Sequence, residues 1–234
     1  MSSISNPIEG LTNVLIKPNA VFSTLAKVNN WSWLPFILVN FVTILTIYLY
    51  FNYVDFNWYI ETIISETMAN TSPAEQDTVR STMNPSMMIG IGAGGAIFGV
   101  VIVNAILAVY LNSMTKNDDS HVQGFSDWYG ALWWIQMPTI VSSAIAIAIL
   151  LVSSNSELSP TSLSPFSLAF VLGTNMGSEW FNFMTSIRLD TLWSIYLLTS
   201  CIAQWTQFDT RKSLIIASAP FVIVFSLWFA YLLF

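Results

Sequence analysis

The stretch Met87–Leu111, MMIGIGAGGAIFGVVIVNAILAVYL, decides the fold. It runs for twenty-five residues without a charge. A helix needs about 20 mostly apolar residues to cross a hydrocarbon core of about 30 Å. A strand would alternate apolar and polar residues, which this run does not do. The same run contains Gly90-Ile-Gly92-Ala-Gly94-Gly95, which satisfies G-x-G-x-x-G. A dinucleotide site would need a preceding strand, a helix opening at the glycines and an acid about twenty residues further on. Here the glycines sit inside the apolar run, and the residue twenty past Gly95 is Thr115. Gly90/Gly94 and Gly95/Gly99 are each four apart, so they predict a stripe of small residues that lets another helix approach closely. That neighbour belongs to the same bundle or to another subunit.

Four further stretches flank this one. Leu34–Val54 and Tyr129–Val152 are uncharged, and Ser213–Phe234 ends the chain. Leu189–Phe208 is the weakest, with Asp190 at its start and Gln204 and Gln207 near its end. The prediction is an all-α polytopic membrane protein, a bundle of five transmembrane helices with interfacial amphipathic helices. The count drops to four if Leu189–Phe208 lies at the interface. Pro7, Pro18 and the lack of a compact basic start argue against a cleaved leader before the first span.

Composition agrees. Of 234 residues only 9% are charged, against about 25% in soluble domains, while 54% are hydrophobic and ten are Trp. So few charges could not cover a soluble surface without large apolar patches. A net charge of −6 offers no basic footprint for nucleic acid. One Cys excludes an intrachain disulfide framework.

With five crossings, the tail and the loops 112–128 and 209–212 share one side. That side holds Lys17, Lys27, Lys116, Arg211 and Lys212, five of the seven basic residues. The positive-inside rule puts the N-terminus in the cytoplasm and the C-terminus outside. One domain is expected, residues 34–234 as the five-helix transmembrane domain, preceded by residues 1–33 as a cytoplasmic interfacial tail. In the tail, Leu11, Val14 and Leu15, then Val21, Phe22 and Leu25 after Pro18, predict two short amphipathic pieces. Anchoring on the bilayer is favoured over docking a partner. In the external loop 55–86, Phe56, Tyr59, Ile60, Ile63 and Ile64 form an apolar stripe, and Ser72-Pro73 with Glu75 resembles a capping box. Phe166–Val171 is too short to span and reads as re-entrant or interfacial.

Catalytic signals are absent. Proton relays and ion pathways need ionisable groups at membrane depth, and spans one, two, three and five hold none. Asp190 and Arg188 are expected at interfacial depth. His121, with Asp118, Asp119 and Asp127, could in principle hold a divalent ion. Without a second His, solvation is favoured, and no metal, cofactor or catalytic residue is assigned. Cys201 reads as a small hydrophobe. Pro138 should kink the third span, and Asn40, Asn104 and Gln136 beside that break could serve a carrier for an uncharged ligand.

The order of these features resembles the Yip1 family of small integral membrane proteins. Pro18-Asn-Ala-Val-Phe22, with the Trp31-to-Pro35 lead-in, is similar to the family's start. Asp127-Trp-Tyr129-Gly130-Ala-Leu-Trp-Trp134-Ile-Gln-Met-Pro138 resembles its third-span element. Leu189-Asp190-Thr-Leu-Trp193-Ser, with Arg211-Lys212-Ser, resembles its fourth-span start and the short loop that follows. The resemblance implies five spans with the tail inside. Eukaryotic members carry a longer cytosolic region and act in early-secretory traffic with Rab GTPases. About thirty residues precede the first span here, which resembles a bacterial-type member of the inner membrane. The expected function is non-enzymatic: contacts with the lipid bilayer, with a second copy or with other membrane proteins, or membrane organisation. The alternative is a carrier or channel for a small neutral or lipid-like molecule.

Overall fold

A computed structural model describes residues 4–118 and 122–234. Their regular structure is helical, apart from one isolated antiparallel bridge between Ser167 and Arg188. Helix α1 (Pro7–Ile16) starts where the Asn6 side chain accepts the Glu9 N–H. Pro18 cannot extend it and instead opens α2 (Pro18–Leu25). The predicted apolar stripe lies inside the protein: Val14, Val21 and Phe22 are fully buried in the main core. The tail therefore shares a core with the transmembrane helices. The anchoring expectation missed this because the covering helix lies some 180 residues further along the chain. Trp205 donates its indole N–H to the Phe22 carbonyl at 2.8 Å.

Helix α3 (Trp33–Tyr53) matches the first span within one residue at each end. Outside it come α4 (Phe56–Thr67) and α5 (Pro73–Thr82). Tyr59, Ile60 and Ile64 of the predicted stripe are buried against Tyr50 and Phe51, and the Ser72–Glu75 capping box forms in both directions. Helix α6 (Pro85–Thr115) extends the decisive stretch at both ends.

The third span is two helices, α7 (Phe125–Ile135) and α8 (Pro138–Val152). At the break, N–H groups reach three residues back instead of four, from Met137 to Trp134 and from Thr139 to Gln136. Two carbonyls at the break gain hydroxyl partners: Ser194 Oγ donates to Ile135 at 3.0 Å and Thr139 Oγ1 to Gln136 at 2.7 Å. Such substitutes make a broken helix tolerable in lipid. Segment 153–188 contains a 3-10 turn (Pro160–Leu163), α9 (Leu168–Leu172) and α10 (Phe181–Ser186). Helices α11 (Leu189–Trp205) and α12 (Thr210–Leu233) complete the chain.

Among the described residues, four segments are long and apolar enough to cross a membrane: α3, α6, the α7–α8 pair and α12. Helix α11 has 17 residues, about 26 Å at 1.5 Å per residue. The outward faces suit lipid, since Phe98 and Ile102 of α6 and Leu227 of α12 are more than half exposed.

Candidate functional site

Two of the sequence elements singled out meet at the end of the bundle where α3 and α7 begin. Trp31, Trp33 and Phe36 face Tyr129, Gly130 and Trp133 across a groove of about 640 Å³. The rings form a continuous wall: Trp33–Phe36 centroids are 5.5 Å apart, Phe36–Trp133 4.7 Å and Tyr129–Trp133 6.0 Å. Gly130 makes this approach possible, because a Cβ there would stand 2.8 Å from Ser32 Oγ. That hydroxyl accepts the Trp134 indole N–H at 3.2 Å. Trp134 is itself fully buried, with Gly10 of α1 packed close on its ring. Asp127, in the first turn of α7, accepts the Gly124 N–H at 2.8 Å and lines the groove.

A second site lies deeper, at the α7–α8 break. Arg188 donates from Nε to Asp190 Oδ1 at 2.8 Å and from Nη2 to Asp190 Oδ2, and also from Nη2 to Ser142 Oγ at 3.4 Å. Asp190 is 2% exposed. Ser142 lies ten residues before Val152, about 15 Å at 1.5 Å per residue. The expectation of interfacial depth is therefore corrected: the pair sits against the interior of the third span. The reason is non-local. Phe166–Leu168 straps the backbone before α11, with Leu168 N–H to the Ile187 carbonyl and Leu189 N–H to the Phe166 carbonyl, both 3.0 Å. Lone charges at such depth are costly, and they persist when paired with each other and turned toward the bundle interior.

Cavities of about 300 and 210 Å³ flank this pair, and both are lined by Gln136, Thr139 and Arg188. The three amides named from sequence gather here. Asn40 lines the larger cavity, and Gln136 Nε2 donates to Asn104 Oδ1 at 3.3 Å. Asn104 is fully buried, and its Nδ2 has no hydrogen-bond partner. The sequence reading missed Arg188, Ser142, Thr139 and Ser194 as parts of one site. An Arg two residues before an Asp at the head of an apolar helix was the available signal.

The remaining candidates are dispersed. Added Cβ atoms at Gly90, Gly94, Gly95 and Gly99 would meet nothing within 4 Å among the described residues, so no neighbour packs closely on these four glycines there. Gly92 is the one that faces α3, with Ile47 at 3.3 Å. Trp193 packs at the edge of the main core, and Cys201 is buried in α11. His121 and Asp119 lie outside the described residues. Asp118 accepts the Gln207 N–H at 2.8 Å, and no group of three potential ligands gathers among the described residues.

The Yip1 domain matches residues 12–232, which includes the second tail helix, the groove and the buried ion pair. The chain belongs to the Yip1 family. Neither a curated protein nor a solved structure matches it. As a Yip1 protein it is a multi-pass membrane protein of a family not known as enzymatic. Tyr129, Gly130, Trp134 and Pro138 follow one another along α7 and its break, from the groove to the polar seam.

Proposed function

We propose that this Yip1 protein is a bacterial-type member that crosses the inner membrane five times and acts without catalysis, through helix contacts with a second copy or another membrane protein. The observation that carries this reading is the open glycine face of α6. Among the described residues nothing lies within 4 Å of a Cβ added at Gly90, Gly94, Gly95 or Gly99, and the side chains of Ile91, Phe98 and Ile102 near them on the helix are exposed. Small residues let two backbones approach closely in lipid, where van der Waals contact drives association. Replacing Gly95 and Gly99 with Leu should reduce cross-linked or co-purified partner recovered from membranes. Unchanged recovery would reject the reading.

The five-span count draws on the two ends of α11. Trp205 stacks near Trp128 at the head of α7, with centroids 4.9 Å apart, and α12 starts five residues later. Near the far end of α12, Phe229 meets Trp180 and Phe183 of the loop that leads into α11. These contacts, at the end of α11 and in the loop before it, support counting α11 as a span. The charge bias then favours a cytoplasmic tail (1–33), a transmembrane domain (34–234) and an external C-terminus. A periplasmic reporter fused after Phe234 should be active, and an inactive one would reject five spans.

A second reading, a carrier for a small neutral or lipid-like molecule, is favoured by the paired cavities beside Pro138. Flux of such a molecule into reconstituted vesicles would support it.

A further inference from the structure

We propose that the aromatic groove between α3 and α7 binds the ammonium headgroup of a phospholipid. This goes beyond both functional readings and holds under either.

Charge comes first. Among the described residues that line the groove, Asp127 is the only one with a charged side chain. One of its oxygens accepts the Gly124 N–H, and the other has no hydrogen bond among the described residues. Among the described residues, the groove is thus lined by one carboxylate and by no lysine or arginine. Chemistry comes second. Trp33, Phe36, Trp133 and Tyr129 line the same groove as that carboxylate, with Trp33 exposed and Trp133 nearly buried. Aromatic faces attract ammonium groups within about 6 Å, and aromatic side chains are used to recognise quaternary ammonium ligands. A bare anion is disfavoured here, and a cation is favoured by two independent features.

Polarity along the groove then selects a lipid over a free amine. Asn29, Asn30 and Ser126 line it together with Asp127, whereas Phe36, Val101 and Ala131 belong to the transmembrane helices. Amide and hydroxyl groups can meet a phosphate, and the apolar side chains can meet the first carbons of an acyl chain. A free amine would leave those apolar residues unused. The place is also right, since Trp33 is the first residue of α3 and Asp127 lies in the first turn of α7, at the level of headgroups. The volume of about 640 Å³ falls within the usual range of ligand sites, about 300–1,000 Å³. Interfacial Trp and Tyr often anchor a protein without selecting a lipid. A concave site with one carboxylate makes the stronger claim that headgroup identity matters.

The test is a binding titration of the full chain in detergent, read by native mass spectrometry. Dihexanoyl phosphatidylethanolamine, dihexanoyl phosphatidylglycerol and free ethanolamine are the three probes. Phosphatidylethanolamine should bind more tightly than the other two. Asp127→Asn keeps an acceptor for the Gly124 N–H and should weaken phosphatidylethanolamine roughly tenfold, the equivalent of about 1.4 kcal/mol. Should that variant fail to fold, Ser126→Lys leaves the cap untouched and should reverse the preference toward phosphatidylglycerol. Equal binding of the two lipids, or unaltered selectivity in a folded variant, overturns the proposal. Ethanolamine binding as tightly as its lipid overturns the lipid assignment.

Discussion

Two arginines show what the membrane does to the same chemistry. Arg80, in the external α4–α5 hairpin, forks onto Glu61 at 2.7 and 3.0 Å and reaches Asp77 at 2.9 Å. Arg188, at the third-span break, grips Asp190 with a similar fork. The side chains of the first cluster are 38–74% exposed, while that of Asp190 is 2% exposed. By contact geometry the two look alike. Their energetics differ because water screens and solvates the first set, whereas either member of the second would be an uncompensated charge if its partner were lost.

Breaking the inner pair should therefore give the largest effect. Asp190→Ala is expected to lower stability by about 3–5 kcal/mol, measured by unfolding in mixed detergent. Replacing Arg188 and Asp190 together with Leu should recover most of that loss, because no charge then remains buried. A double variant as unstable as the single one would show that the strap at Phe166–Leu168 depends on Arg188 itself.

The next effect tests the outer region by shape instead of charge. A Cβ at Gly177 would lie 2.0 Å from the Glu66 carbonyl oxygen at the end of α4. Glu66 also accepts the Met176 N–H at 2.9 Å. Gly177→Ala must push these backbones apart, at a cost of about 1–3 kcal/mol. Faster hydrogen exchange around Met176 and Glu66, with the bundle unchanged, is the expected signature. Smaller again is Ser194→Ala, which removes the hydroxyl from the Ile135 carbonyl at the break. Interhelical hydrogen bonds in membranes average about 0.6 kcal/mol, so a loss beyond about 2 kcal/mol would mean the break relies on this one contact.

The contrast between the arginines also explains what could be read in the sequence. Membrane spans depend on sums over some twenty residues, so α3, α6 and α12 were legible from charge-free runs alone. The α4 stripe and the Ser72 capping box depend on neighbours three or four apart, and these too were visible. The depth of Asp190 was not, because it is set by a strap more than twenty residues earlier in the chain. Nor was the seat of Val14 and Phe22, which Trp205 helps to cover. The glycine spacing pointed to close packing, yet Gly92 is the residue that meets α3. Spacing defines stripes around a helix but not which one a neighbour uses. For the groove, Trp33 and Trp133 fall in two separate sequence elements, and only the crossing of α3 and α7 makes them one wall.

The smallest effect belongs to Arg80. Arg80→Ala should leave the unfolding of the whole protein unchanged within error, since exposed pairs contribute little and are screened by salt. Acid should expose the same hairpin in another way. The hydrogen bond from Arg80 holds the Glu61 carboxyl below its ordinary range, and the Ser72 backbone N–H does the same for Glu75. A depressed carboxylate pKa stabilises the fold above its unfolded value, and that contribution disappears as pH falls through the folded value. The contribution to helix α5 should therefore be complete above the ordinary carboxylate range and fall away as pH drops from that range through the depressed folded values. Hydrogen exchange at Val79 and Arg80, followed as a function of pH, reads this directly. In Arg80→Ala the bond to Glu61 is gone while the Ser72 cap remains, so the acid-dependent loss should be smaller. An undiminished loss would assign the acid response of the hairpin to Glu75 and its cap alone.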